Sequence, residues 1–347
     1  MKQLIVDEIR DSGPMPFERF MELALYHPGG GFFGAGSLRS VKAGDFLTSP
    51  EVSPLFGEAL AGWVGSERER VGEPFTLVEV AGGSGSLLKS LLAATDVEAW
   101  AVEASPAARD SLSGLLPAGR VVESLAQVPS PLRGVIIANE LIDNLPMAIA
   151  QRVDGSWRER WVGAEGDSLV LVDADPRSSV VEWLDRFAGP VPDGGMVEVQ
   201  LAAGGWLTEA ISMVEAGAIV LFDYGDTTEN LLPRRQDGTL RTYRAHHLGP
   251  HPLDEPGATD ITADVNFTAL DTMAREAGWK SKIWRQDDFL AEVGVRAKVS
   301  ELRRLELELA RAGDEMERLR TRTLRTEAET LLNPRGLGDF RVLVARR

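Results

Sequence analysis

The stretch VEVAGGSGSL, residues 78–87, is the place in this 347-residue chain where residue type and spacing first suggest chemistry. Glycine lets a backbone approach a ligand closely and adopt positive φ. The helix expected to follow, Ser86–Ala94, would present free N–H groups to an anion. Such a loop binds a nucleotide-like cofactor or simply makes a tight turn, and several cofactor classes use one. The dinucleotide spacing G-x-G-x-x-G fails: counted from Gly83 and Gly85, the third position is Leu88. A phosphate-binding P-loop fails because no lysine stands at the helix start. A nucleophile elbow centred on Ser84 fails because its last position is Ser86 rather than glycine.

What remains is acidic-x-small-x-Gly-x-Gly, with Glu79, Ala81, Gly83 and Gly85 at the defining positions, the loop form found in methyltransferases. Glu103 ends the next apolar run, 18 residues after Gly85, where a carboxylate can accept from both hydroxyls of a ribose. Glu123, Ser124 and Leu125 leave a third run on the same side and could border an adenine, although such a pair is also ordinary turn chemistry. ANELIDNLP, residues 138–146, sets Asn139, Glu140 and Asp143 behind the apolar run GVIIA. A cluster of that kind beside a buried strand is costly unless satisfied or functional, so it either caps the next helix or faces the reacting group. FDYG, residues 222–225, is a further strand-end loop and reads equally well as a plain turn.

The elements that must position these residues follow from hydrophobic patterning. Residues 2–10 and 16–26 read as short helices, with Leu4, Ile5 and Ile9 on one face and Phe17, Phe20, Met21 and Leu25 on another. Ser49 suits a helix N-cap, with Pro50 at the first helical position. Apolar runs at 75–80, 98–103, 119–123 and 134–138 alternate with helical segments, which predicts a doubly wound parallel sheet. Residues 147–200 break that rhythm with strand-like segments and one helix near 178–188, an insertion expected to cover one sheet edge. The rhythm resumes with a helix at 206–216, strands at 218–223, 279–284 and 340–345, and a helix at 267–277. A long charged helix, about 298–332 and interrupted only by Gly313, carries a seam of Leu302, Leu305, Leu309, Ala312, Met316 and Leu319. That seam suits either a homodimer or partner face, or packing on the chain's own core. The expected division is an N-terminal helical or lid segment (1–70), a core (71–146 and 201–347) and an inserted substrate or lid region (147–200).

Composition narrows the classes further. The chain has no cysteine, which excludes disulfides, thiolate nucleophiles and Cys-ligated metal. With 37 basic and 53 acidic residues the net charge is −16, which argues against a nucleic-acid partner. His246, His247 and His251 lack helical pairing with a carboxylate and are interrupted by Gly249 and Pro250, so polar loop contacts are expected and no metal. The start MKQLIVDEIRDSG lacks a signal-peptide pattern, and no apolar run nears the roughly 20 residues of a membrane span. The expectation is a soluble, cytoplasmic protein without a membrane partner.

Taken together, these pieces resemble the MidA family of S-adenosyl-L-methionine (SAM)-dependent methyltransferases, whose mitochondrial members help to assemble respiratory complex I. The resemblance runs through Tyr26-His27-Pro28, Gly31, Phe32 and Phe33, GDFLTSPE at 44–51, FGE at 56–58 and the glycine loop. It continues through Asn139, Glu140, Asp143, Leu145 and Pro146, then Asp223-Tyr224-Gly225, GTLR at 238–241, and Tyr243, Arg244 and His246. DITADVNF at 260–267 and the closing Asn333, Pro334, Gly336, Leu337 and Gly338 complete it. It implies a Rossmann-like α/β, seven-stranded class I methyltransferase sheet with an N-terminal helical segment and an inserted α+β lid, and SAM as cofactor. It also implies cofactor contacts from Thr48 and Ser49, and substrate contacts from Glu51, Asp223, Tyr224, His246 and Asn266. Mitochondrial members of the family dimethylate an arginine of a complex I subunit, so a protein arginine is the expected acceptor. A guanidinium nucleophile is cationic, so Glu140 and Asp143 would grip it while Asn139 orients it. A small-molecule acceptor, or a catalytically degenerate assembly factor, is the alternative. Four positions depart from the family pattern: Ala81 for its first glycine, Gly82 for its proline, Ser84 for its arginine and Asn266 for its aspartate.

Overall fold

The computed structural model describes residues 1–35, 48–244 and 247–347. The main sheet has seven strands, numbered here in chain order: β1 (Thr76–Val80), β2 (Glu98–Val102), β3 (Val121–Val122), β4 (Leu132–Asn139), β5 (Val214–Asp223), β6 (Lys280–Arg285) and β7 (Arg341–Arg346). Their spatial order is β6-β7-β5-β4-β1-β2-β3. β1 to β5 pair in parallel, whereas β7 runs antiparallel to both β5 and β6. The expected seven-stranded α/β sheet is therefore present. The chain order reverses between β1 and β4, so a crevice opens at their carboxyl ends.

Parallel strands covered on both faces read as continuous apolar runs. Val135, Ile136, Ile137, Ile219, Val220 and Leu221 are all fully buried. Side chains alternate between faces along a strand. Val135, Ile137 and Val220 join one core with the helices Pro54–Val71 and Ser86–Ala94. Ile136, Ile219 and Leu221 join the other, with Leu201–Met213 and Phe267–Glu276.

A second sheet holds the insertion. Ala148–Val153, Ser156–Glu165, Ser168–Ala174 and Met196–Val199 pair with one another, and the N-terminal Met15–Pro16 adds to Ser156–Glu165. Helices Lys2–Ser12 and Phe17–Tyr26 bury Ile5, Ile9, Phe17, Phe20 and Met21 against Met147, Ile149 and Val162. Leu4, expected on that face, is exposed. The insertion packs chiefly on these helices and, through Ser178–Phe187, on Leu201–Met213 and Phe267–Glu276, not along an edge strand of the main sheet. Arg177 fastens the two parts: its Nε donates to Glu159 Oε1 at 2.9 Å and its guanidinium also pairs with Glu18.

Two expectations about helices need correction. The helix before β5 starts earlier than residue 206, at Leu201, and gives way to strand at Val214. The interruption expected at Gly313 in the long charged helix is a full reversal, giving two antiparallel helices, Val295–Ala312 and Glu315–Leu331. Gly313, at φ +76°, ends the first, and the Asp314 side chain accepts from the Glu317 N–H to start the second. The apolar seam is thereby divided: Leu302 is buried, while Met316 and Leu319 are 66% and 50% exposed.

The three central strands approach one another through glycine. A Cβ on Gly217 would lie 1.7 Å from the Gly134 carbonyl oxygen, and one on Gly134 would lie 1.8 Å from that of Thr76. Both sit at positive φ, +150° and +154°. Gly217→Ala is expected to destabilise the protein by about 3 kcal/mol or more, from backbone strain added to overpacking. Urea denaturation measures this; a loss under roughly 1 kcal/mol would show that the strands can spread without cost.

Candidate active site

β1 leads into the glycine loop, where Ala81, Gly83 and Gly85 have φ of +57°, +52° and +80°. Gly85 is the N-cap of Ser86–Ala94. The Ala81 N–H donates to the Val102 carbonyl at 2.8 Å, which ties the loop to the end of β2. Glu103, next along, accepts from the Gly83 N–H on Oε2 at 3.0 Å and from the Ser105 N–H on Oε1 at 2.8 Å. Holding Ala81 in the left-handed region costs on the order of 1–3 kcal/mol, a strain that glycine avoids. This backbone requirement gives a physical reason for the family's usual glycine at that position.

β4 ends in the same crevice. Among the described residues, non-glycine positive φ occurs at Ala81, Glu140 and Asp154, and two of these three strained positions line the same cavity. Glu140, at φ +53°, donates its N–H to the Phe222 carbonyl at 2.8 Å. Its carboxyl accepts from Asn139 Nδ2 at 3.1 Å and from the Ser49 N–H. Burial, and then the Asp143 charge, pushes that carboxyl up to about 8. Glu79 is likewise pushed up to about 8, by burial and then by Glu103.

Between these strand ends lies a cavity of about 300 Å³. Its walls include Thr48, Glu79, Ala81, Gly83, Glu103, Glu123, Ser124, Leu125, Asn139 and Glu140, so ten of the residues singled out from sequence meet in one space. Two buried acceptors on its wall, Glu79 Oε2 and Asn139 Oδ1, have no hydrogen-bond partner among the described residues. A ligand carrying positive charge and N–H donors fits that wall, as the ammonium and sulfonium of SAM would. Glu79 could hold the amino-acid end, the loop backbone and Glu103 the ribose, and Glu123 to Leu125 the adenine.

Other candidates are placed differently. Asp223 is fully buried: Oδ2 accepts from the Ile142 and Asp143 N–H groups at 2.9 and 3.2 Å, and Oδ1 from the Tyr224 N–H at 2.9 Å. Asp143 is 2% exposed and accepts from Thr262 Oγ1 at 2.6 Å and from the Tyr224 hydroxyl. Burial raises the Asp143 and Asp223 carboxyls above the usual range. These three residues form a layer beneath the β4 exit loop rather than cavity wall, so the expected substrate contacts of Asp223 and Tyr224 become positioning contacts. Asn266 caps Phe267–Glu276, accepting from the Ala269 N–H at 3.2 Å and donating to the Phe187 carbonyl at 3.2 Å. It is 2% exposed and no part of the wall, because a cap must turn its side chain onto its own helix. Glu51 is not among the cavity's lining residues: it accepts from the Thr48 N–H at 3.1 Å and from Ser84 Oγ at 3.0 Å, closing a capping box and latching that segment to the glycine loop. The Ser49 side chain is buried against Gln286, 3.1 Å away, and only its N–H reaches Glu140. His246 lies outside the described residues.

Sequence reasoning assigned no role to Tyr26, Phe33, Pro50, Asn144, Trp206 or Glu209, all of which line the cavity. Tyr26 and Phe33 belong to the pieces that carry the family resemblance, which was a usable signal. Trp206 and Glu209 lie on the helix Leu201–Met213, and their types and spacing carried none.

A sheet in this order, with a nucleoside-sized cavity at its switch point, defines a class I SAM-dependent methyltransferase. Residues 59–284 match the family described as S-adenosyl-L-methionine-dependent methyltransferases, and the chain belongs to it, the MidA family of the resemblance above. A solved methyltransferase-like protein from Burkholderia thailandensis, bound to S-adenosyl-homocysteine (SAH), superposes with a TM-score of 0.87 at 26% identity, covering 100% of this chain and 91% of that one. The curated proteins named "Protein arginine methyltransferase NDUFAF7, mitochondrial" are similar too. The Rattus norvegicus protein is 29% identical over 98% of this chain and 82% of its own length. That of Xenopus laevis is 27% identical over 86% and 75%. This protein is thus a methyltransferase that uses SAM. The cytoplasmic expectation is corrected by the same comparison, since these relatives are named as mitochondrial.

Two outcomes follow from the cavity's carboxyls. A buried glutamate whose folded value lies near 8 is stabilising while protonated, and its contribution is lost as pH rises from its unfolded value of about 4.5 towards 8. Without ligand, Glu79→Gln should therefore melt above the wild type at pH 8, with the gap closing towards pH 4.5; a pH-independent difference in melting temperature would refute the assignment. Glu103→Ala should weaken SAM and SAH alike by about 1–3 kcal/mol, measured calorimetrically, through lost hydrogen bonds to a charged group and a loosened loop.

Proposed function

We propose that this chain transfers the methyl group of SAM to an arginine guanidinium of a protein acceptor. The observation that carries the proposal is Glu140, a strained, buried carboxyl on the cavity wall at the end of β4, next to the unpartnered Asn139 Oδ1. The names of the curated relatives support it, and the −16 charge suits a basic acceptor. In this reading residues 1–70 and 147–200 cover the acceptor side of the core.

SAM supplies an electrophilic methyl on a sulfonium. The protein's part is to align the nucleophile and exclude water. An N–C bond forms, the S–C bond breaks with its pair going to sulfur, and the guanidinium gives up one proton. Ionised Glu140 grips the cation through two parallel N–H bonds, localises its charge away from the reacting nitrogen and takes that proton. Asn139 offers Oδ1 as a further acceptor. Asp143 contributes charge from beneath the loop.

Wild-type protein with methyl-labelled SAM should label arginine-bearing peptides over their lysine counterparts, with the modified residue read by mass spectrometry. Glu140→Gln should bind SAM nearly as well while turnover falls by about 10²-fold or more. Gripping needs the carboxylate, so the acceptor kcat/KM should fall as pH drops through a midpoint at or below about 8, a bound cation moving it downwards. Wild-type turnover in Glu140→Gln, or an acceptor kcat/KM that rises as pH drops below 8, would exclude this role.

A further inference from the structure

We infer that Gln286, which is not among the cavity's lining residues, is a positioning residue for Glu140 and acts on it through Ser49. The inference rests on the role given to Glu140 above. It extends that role to a residue that directly follows β6, the edge strand of the main sheet.

The short helical turn Ser49–Val52 has few main-chain donors to spare. The Thr48 N–H before it goes to Glu51 Oε2 at 3.1 Å. The Glu51 and Val52 N–H groups go to the Thr48 carbonyl at 3.0 and 3.1 Å. Pro50 has no N–H to give. The Ser49 N–H remains, and it donates to the Glu140 carboxyl. Thr48, Pro50 and Glu140 all line the cavity, so this bond joins two segments of its wall.

A main-chain donor is only as well aimed as the turn that carries it. Glu51 ties one side of the turn to the glycine loop, accepting from Ser84 Oγ at 3.0 Å. Gln286 ties the other. It is fully buried, as is Ser49, and its Nε2 donates to Ser49 Oγ at 3.1 Å and to the Leu337 carbonyl at 2.9 Å. The Gln286 N–H donates to the Phe340 carbonyl at 2.8 Å, which fixes the residue between the end of β6 and the start of β7. Gln286 Oε1, by contrast, is buried with no hydrogen-bond partner among the described residues. That unpaired acceptor is a cost that an apolar side chain of similar size would avoid. Packing alone therefore does not explain an amide here, whereas its grip on Ser49 does.

The consequence for Glu140 has a definite sign. Burial and then the Asp143 charge raise its carboxyl, Asn139 and then the Ser49 N–H act in the opposite direction, and the Glu51 charge raises it by less than these. Asp223 is a further acid that feels the Glu140 charge. A hydrogen bond to the ionised form favours that form. Freeing Ser49 while Glu51 stays latched on Ser84 removes support from the carboxylate, so the Glu140 midpoint moves up.

The test titrates the full chain without cofactor by NMR, with 13C in the glutamate carboxyls. Glu140→Gln and Glu79→Gln assign the two signals by their loss. In Gln286→Leu the Glu140 midpoint should rise by about one pH unit, the order of a hydrogen bond to a charged group. Glu79 is also raised to about 8, but by burial and Glu103, so its midpoint should stay in place. A melting curve checks folding. If Gln286→Leu does not fold, Ser49→Ala deletes the same side-chain bond while keeping the N–H, and Ser49→Thr should restore the wild-type midpoint. A folded variant with an unmoved Glu140 midpoint, or one in which Glu79 moves equally, overturns the positioning role and leaves the arginine reading standing. The arginine reading fails separately, through wild-type turnover in Glu140→Gln.

Discussion

The reacting end of the cavity depends on one buried carboxylate. Asp223, at the last position of β5, accepts the N–H groups of Ile142 and Asp143 and so pulls the β4 exit loop against the neighbouring strand. Together with the bond from the Glu140 N–H to the Phe222 carbonyl, this holds Glu140 in a conformation that an isolated chain would avoid. The strain persists because both strands are fixed by their neighbours in the sheet. A second bracing layer, Tyr224 and Thr262 on Asp143, brings the 260–267 segment under the same loop. Several pieces of sequence far apart along the chain thus act on one turn.

Electrostatics gives this architecture its selectivity. Glu79, Glu103, Glu140, Asp143 and Asp223 all have carboxyls raised mainly by burial, and three of them, Glu79, Glu140 and Asp223, are raised further by another carboxylate. Concentrating acids in a partly desolvated crevice is unfavourable unless a positive ligand enters. The same field that disfavours the ionised, ligand-free state therefore favours a cationic cofactor and a cationic acceptor. It also favours a charged sulfonium over its neutral thioether product.

The departures from the family's usual pattern have local explanations that leave the site intact. At Ala81 the issue is a positive φ that alanine tolerates at a cost, with the backbone bond to Val102 still made. Asn266 caps a helix, a task that asparagine and aspartate perform about equally well. Ser84, where the family has arginine, accepts a different duty by donating to Glu51 and linking the N-terminal segment to the glycine loop.

Much was legible from the chain alone. The apolar runs and their spacing sufficed for the parallel sheet, because a strand covered on both faces must be apolar throughout. Glycine spacing and strand-end residues located nine of the ten wall residues, because ligands of such sheets gather at the carboxyl ends of the strands, while Thr48 came from the family resemblance. Tertiary structure decided what an acid at a strand end does. Glu140 and Asp223 each stand at the end of an apolar strand, yet the first lines the cavity and the second lies under it, fully enclosed by backbone donors. The pairing of Tyr26 with Phe33 on the cavity wall was also decided in three dimensions. The physical reason is that periodicity reports which face of an element is buried, whereas a side chain's role depends on the partners that distant segments bring to it.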